Sequence, residues 1–356
     1  LTVIAIIGIL VGLLIPAVGA IRRSVRLSAF AMEVKAIDNA VEQFKNKYGD
    51  YPADGSDKAT FTRVLRKAFP NMAPTEITLL AEFSNWSNGS TVGIMDPAEA
   101  LVFFLGGFSD DPAYPISGPG GPIFVSNSGL QVNSSAWNTN SQVQYNSTRN
   151  NPLYDFGQGN LAIEVVGGLT VSNDEAQIVG GTNDLMPTYS LSGTTTPVVY
   201  FDSRTYAFSA PSPTNARRTV RYYNSYAPAA ASGLGGVARP YKSEEIATTI
   251  LHPGPAGNNP NPDEWQRRDM HFKYANSQSF QLICAGLDED YGGMKQASIG
   301  FPPVFYRYAS GSQLDIGDPT GGSGFSRYTE VSGEPSAQLD NVVSFADSTL
   351  ENAIDQ

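Results

Sequence analysis

The first 21 residues, LTVIAIIGILVGLLIPAVGAI, contain no charged side chain. As an α-helix rising about 1.5 Å per residue they reach roughly 30 Å, the thickness of a bilayer core. Such a run has three possible fates: a cleaved signal peptide, a permanent membrane anchor, or a segment that sits first in a membrane and later in a protein core. A signal peptide has a shorter apolar part and a small-residue cleavage site.

The residues that follow favour the third fate. Phe30, Val34, Ile37, Val41, Phe44 and Tyr48 recur at alternating spacings of four and three, one stripe of a continuing helix. Glu33, Lys35, Asp38, Glu42 and Lys45 occupy the remaining face, and Gly49 with the turn before Pro52 stops the helix. One rod over residues 1–48 would be near 70 Å long. A globular domain rarely needs such a rod, whereas a polymer with a helical core does.

Charge is unevenly placed along the chain. Residues 22–47 hold six basic and three acidic side chains, a local +3, while the rest holds 17 basic and 31 acidic, or −14. An acidic body argues against broad contact with nucleic acid. Charged residues make up 16% of the 356, below the roughly 25% of an average soluble domain. Gly, Pro, Ser, Asn and Thr fill the difference, which points to a loop-rich, β-leaning head. The lone Cys284 excludes an intrachain disulfide. Stability must therefore come from packing, a metal or neighbouring subunits.

The segment LTVIAIIGILVGLLIPAVGAIRR resembles the start of type IV pilins and type II secretion pseudopilins, most closely the large pilin-like proteins of planctomycete-type bacteria. The resemblance implies a prepilin peptidase cut after a glycine. It also implies that Leu1 follows a Phe-Thr-Leu-Ile-Glu-Leu-like run, with the family's glutamate two residues before it. The resemblance further implies a helical homopolymer, its core built from Leu1, Val3, Ile4, Ile6, Ile7, Ile9, Leu10, Leu13, Leu14 and Ile15. Pro16 lacks an N–H donor, and Gly8 and Gly12 lower helix propensity just before it. The family implies that the helix melts locally there when subunits pack. Arg22, Arg23 and Arg26 would be kept cytoplasmic by the positive-inside rule, whereas the resemblance places the body outside.

Beyond residue 48 the expectation is an α+β head over 49–356, an antiparallel sheet with long loops. Phe61, Val64, Leu65, Ala68 and Phe69 share a helical face. Asp96-Pro97-Ala98-Glu99 reads as a helix start for ALVFFL, which Gly106-Gly107 ends, and DPAEALVFFLGGF resembles a phrase of the planctomycete pilin-like proteins. Candidate strands are 161–166, 197–202, 216–223 and 279–286. Residues 109–160, 224–240, 252–263 and 309–336 read as loops.

Residues 276–293 and 339–351 resemble the end of major pseudopilins, where a last strand leads into a calcium-binding loop. That resemblance, with the acidic run itself, nominates Asp288, Asp290 and Asp340 as calcium ligands, with Glu289 and Asn341 as further oxygen donors. Ile299 stands where an EF-hand needs its closing glutamate. Asn85, Asn88, Asn133 and Asn146 open sequons that could carry glycans. Enzyme motifs are poor. His252 and His271 form no zinc signature, GxSxG does not occur, and Gly157-x-Gly159-x-x-Ala162 leads into a strand where a dinucleotide site needs a helix.

The resulting expectation is a non-enzymatic pilin of an extracellular type IV pilus-like filament, held in the inner membrane before an assembly machine extracts it. Two alternatives stand beside it: a secretion pseudopilin, and a membrane-anchored surface protein that never polymerises.

Overall fold

The structure, a computed structural model, describes residues 2–55, 57–83, 95–125, 143–166, 169–172, 186–206, 223–224, 237–246, 272–291, 305–306, 308, 313–315, 327–329, 340–346 and 349. Its helices are α1 Thr2–Tyr48, α2 Lys58–Ala68, α3 Pro74–Phe83 and α4 Ala100–Leu105. Its strands are β1 Ile123–Val125, β2 Val143–Tyr145, β3 Ile163–Val166, β4 Leu169–Ser172, β5 Val199–Asp202, β6 Tyr223–Asn224, β7 Val237–Ala238, β8 Lys242–Ile246, β9 Phe272–Tyr274, β10 Phe280–Cys284, β11 Phe305–Tyr306, β12 Gln313–Asp315, β13 Arg327–Thr329 and β14 Val342–Val343. The architecture is α+β, a long N-terminal helix carrying small antiparallel sheets.

Helix α1 runs 47 residues without a break. It ends as expected at Gly49, whose φ of +80° suits glycine and whose N–H donates to the Lys45 carbonyl at 2.7 Å. Lys45 and Lys47 in the last turn complement the negative end of the helix dipole. Pro16 lies inside the helix, so the melt expected between Gly8 and Pro16 is absent from the single chain. Flanking helical turns on both sides tolerate one missing hydrogen bond. Among the described side chains no helical window is long and apolar enough to cross a membrane. The side chains of Ile4, Ala5, Ile9, Leu10, Val11 and Leu13 lie outside that description, so a membrane span over residues 1–21 remains a sequence expectation.

The core begins where the amphipathic half begins. Phe30, Val34, Ile37, Val41 and Phe44 are buried and Tyr48 is half-buried, so the six-residue stripe is the face that meets the head. It packs on the central sheet, ordered β14-β10-β5 with both pairings antiparallel. Every residue of β5 and β10 is buried, including the polar Asp202 and Gln281. The pleat sends alternate side chains into two clusters. Tyr200, Phe280, Leu282, Cys284 and Val342 join the α1 side. Val199, Phe201, Ile283 and Val343 join the other, with Tyr206, Tyr241 and Tyr291.

The expected second helix forms as α2, with Asp57 accepting from the Thr60 N–H at 2.8 Å and Phe61, Val64 and Leu65 buried. At α4, Asp96 accepts from the Ala98 and Glu99 N–H groups, and the Glu99 carboxylate accepts from the Asp96 N–H at 2.7 Å. This reciprocal capping box holds the turn 97–99 ahead of the helix. Phe103 and Phe104 of α4 meet Phe61 at 5.4 and 5.2 Å, and Phe104 meets Phe44 edge-on at 5.4 Å.

Sequence periodicity missed α3. Its buried Glu76 accepts from the Ile116 and Ser117 N–H groups and from the Ser117 hydroxyl, tying the helix to a loop forty residues on. The stretches read as loops contain short paired strands, including β1 with β2 and β12 with β13. Two- and three-residue strands carry too little periodicity to be seen, and their partners decide them. Of the expected strand 216–223 only Tyr223 lies among the described residues.

Candidate functional site

Two features bear on function, and both lie where α1 leaves the head. The first is the projecting part of α1. Val3, Ile6, Ile7, Leu14, Ile15, Val18, Ile21 and Val25 are all exposed, Ile15 at 69%. Gly8, Gly12 and Pro16 are exposed with them, and a Cβ on either glycine would meet nothing within 4 Å. A chain that kept this surface in water would expose more contiguous apolar area than soluble monomers do. At the exit point Ile21, Arg22, Arg23, Val25 and Arg26 line an open groove of about 570 Å³, which Leu287 closes from the head side.

The second feature is the acidic loop after β10. Two of the three nominated calcium ligands come together: Asp340, in the turn before β14, sits against Asp288. Asp340 Oδ2 accepts from the Leu287 N–H at 2.9 Å and the Asp288 N–H at 3.3 Å. Its Oδ1 is buried without a hydrogen-bond partner. Gly286 makes this approach possible, since a Cβ there would lie 2.4 Å from the Asp340 carbonyl oxygen and the residue's φ is +72°. Loss of water around its carboxyl pushes Asp288 up to about 6, with the Asp340 and Asp290 charges adding. Burial also raises Asp340, against its two backbone donors and the Arg23 charge.

The other nominated donors divide. Asp290 lends its N–H to Asp288 Oδ1 at 2.9 Å. The Glu289 carboxylate is turned to Thr195, accepting from its N–H and hydroxyl, while Glu289 itself takes a φ of +58°. The Asn341 amide donates to the Tyr241 hydroxyl and the Tyr291 carbonyl, and its Oδ1 is buried without a partner. These oxygens fit a hard divalent cation in kind. They fall short in number, because among the described residues no three His, Cys, Asp or Glu side chains converge as a metal site and Ca²⁺ takes roughly six to eight oxygens.

A third polar cluster was not visible in the sequence. Arg204 bridges Asp202 and Asp50 at 2.6 and 2.8 Å and donates to the Tyr51 and Pro52 carbonyls. Buried Asp54 accepts from the Asp202 N–H and from the Thr205 hydroxyl. The cluster fastens the chain leaving α1 to β5. Burial pushes Asp202 up to about 6 despite its Arg204 partner. Cys284 is buried among apolar side chains, which raises its thiol to about 12 and leaves it unreactive.

Of the sequons, Asn146 is half-buried, with its amide donating to the Gly121 carbonyl at 2.8 Å. Asn85, Asn88 and Asn133 lie outside the described residues, as do His252 and His271. Gly157 precedes and Gly159 lies within a short 3-10 turn, Gln158–Asn160, that leads into β3 as expected. The chain matches no known family model, and comparison with curated proteins and with solved structures finds no relative.

Proposed function

We infer that this chain is a filament subunit, a pilin that polymerises through α1 into an extracellular fibre. The observation that carries the reading is the division of α1 into a half built into the head from Phe30 onward and a projecting half with exposed apolar side chains. Burying an apolar helix of that length removes on the order of 1,500 Å², or tens of kcal/mol at about 25 cal/mol per Å² before entropy is counted. A bundle of copies supplies that burial: apolar helices form the core and heads the shell. Before assembly the same surface rests in the inner membrane, where the resemblance assigns a prepilin peptidase and an assembly machine as partners. In the bundle, Gly8 to Pro16 is the weakest stretch of helix and the place where it opens.

Calcium belongs to the same reading. Asp288 and Asp340 would hold it, neutralising two carboxylates and tying the loop after β10 to the turn before β14. No catalytic role is assigned to any residue.

A second reading, a membrane-anchored protein that never polymerises, is favoured by the continuity of α1 through Pro16. A secretion pseudopilin shares the polymer and differs in fibre length. Electron microscopy of material sheared from the cell surface separates the three. Long fibres with bundled central helices support the pilin. Extracted monomers confined to the inner membrane fraction would overturn it, and short periplasmic fibres would reassign it to secretion.

A further inference from the structure

The groove where α1 leaves the head combines apolar and basic walls. Arg22, Arg23 and Arg26 are exposed and line it beside Ile21 and Val25, and Leu287 closes it from the head. At about 100° per residue, Ile21 and Val25 lie on one side of Arg22 and Arg26, and Arg23 on the other. An apolar strip therefore passes into a basic one within roughly 200° of helix surface. Among the described residues none of the three guanidiniums forms an ion pair. Burial raises the proton affinity of Asp340 and the Arg23 charge opposes that rise, so one carboxylate shares the neighbourhood. A single carboxylate is an incomplete counterion for three cations. The arginines also follow directly on the uncharged run 1–21. When that run crosses a bilayer core of roughly 30 Å, residues 22–26 fall among the lipid phosphates.

We propose that this groove binds the headgroup of an anionic phospholipid, an inference that rests on the membrane residence of α1 before assembly and names the lipid selected there. The phosphate sits on the three arginines, and the glycerol end of the acyl chains lies against Ile21, Val25 and Leu287. The chemistry of the lining selects this ligand. All three basic residues are arginines, whose planar, weakly hydrated forks match phosphate oxygens. A free phosphate ion has no use for the apolar wall. A zwitterionic headgroup brings a cation that the arginines repel. An extended polyanion such as nucleic acid reaches past the groove onto the −14 of the rest of the chain, whereas one headgroup stays within the +3 of residues 22–47. Leu287 makes the head part of the site, so the lipid holds head and helix together at the membrane surface.

The test uses the full chain, one copy per vesicle, in mixtures of phosphatidylglycerol and phosphatidylcholine. A fluorophore at Ser24→Cys, exposed beside the groove, is quenched by brominated lipid of one kind or the other, and buried Cys284 keeps background labelling low. A basic residue near a membrane surface favours anionic lipid by about fivefold, so three arginines should favour phosphatidylglycerol by at least about tenfold. Arg22→Gln/Arg23→Gln/Arg26→Gln should bring that ratio close to one while helicity and melting temperature stay at the parent's values. The charge-matched control is Lys58→Gln/Arg63→Gln/Arg66→Gln on α2, a helix that Lys67 ties to Gly49 at the far end of α1. It should keep the full preference. Equal losses in the two triple variants would reduce the effect to net charge and overturn the site, as would a preference that survives the arginine substitutions. Displacement of the lipid by inorganic phosphate would assign the groove to free anions and also overturn the proposal. Equal association of both lipids with the parent chain would overturn it too, leaving membrane residence standing and a neighbouring copy's acidic body as the partner of the arginines. A chain that never enters vesicles would overturn the groove and the membrane residence together.

Discussion

Replacing Phe44 by alanine tests whether α1 is anchored through one face only. Phe44 is fully buried, its ring 5.4 Å from Phe104 and 4.6 Å from Tyr48. Truncation removes the transfer energy of the ring and leaves a cavity, a combined cost of about 3–5 kcal/mol for Phe→Ala in a core. The middle of that range, about 4 kcal/mol, applies here because the surrounding side chains are held on several sides. Phe30, Val34, Ile37 and Val41 pin the same helix face to the sheet, and Phe61 and Phe103 hold Phe104 from behind. The control is Met32→Ala on the bare face, expected within about 0.5 kcal/mol of the parent. Guanidinium titration of the full chain in mild detergent, followed by far-ultraviolet circular dichroism, measures both. The expected outcome is a lower midpoint at unchanged slope for Phe44→Ala and no shift for Met32→Ala. A Phe44→Ala cost below about 1 kcal/mol, or an equal cost at both positions, would refute the division of α1 into two faces.

Asp202 has a folded pKa of about 6, above its unfolded value, so its ionisation in the fold opposes stability. The melting temperature should therefore fall as pH rises from about 4 to about 6, and Asp202→Asn should flatten that slope even though it weakens the Arg204 bridge; parallel slopes would sink the argument. Millimolar calcium should raise the melting temperature of the parent chain and leave Asp340→Asn unmoved, with the effect fading below about pH 6 as Asp288 protonates. Equal shifts in both chains would remove calcium from Asp288 and Asp340. Gly286→Ala should destabilise by at least about 2 kcal/mol, because its Cβ strikes the Asp340 carbonyl and its φ is positive. An unchanged melting curve would show that the loop is not held against Asp340.

The extent and end of α1, the stripe that enters the head and the capping of α4 were legible because each rests on local geometry. A 3.6-residue period, a glycine at a left-handed position and an Asp-x-x-Glu box act within a few residues of chain. Strands β5 and β10 were legible as short runs rich in β-branched and aromatic residues. Helix α3 was not, because one of its buried residues, Glu76, is a carboxylate held by a loop forty residues away.

The sequence by itself determined that there is a long helix with an uncharged first half, an acidic body and no disulfide. It contained the apolar stripe from Phe30 to Tyr48 as well. Only the tertiary structure decided what that stripe meets, since that depends on where the sheet β14-β10-β5 lies and not on the helix. Tertiary structure likewise brought Asp288 to Asp340 across 52 residues, and Asp202 to Asp54 across 148. Carboxylates repel, so no local preference places them together. The packing of a buried sheet does, and the desolvation it imposes is what raises the proton affinity of Asp202, Asp288 and Asp340.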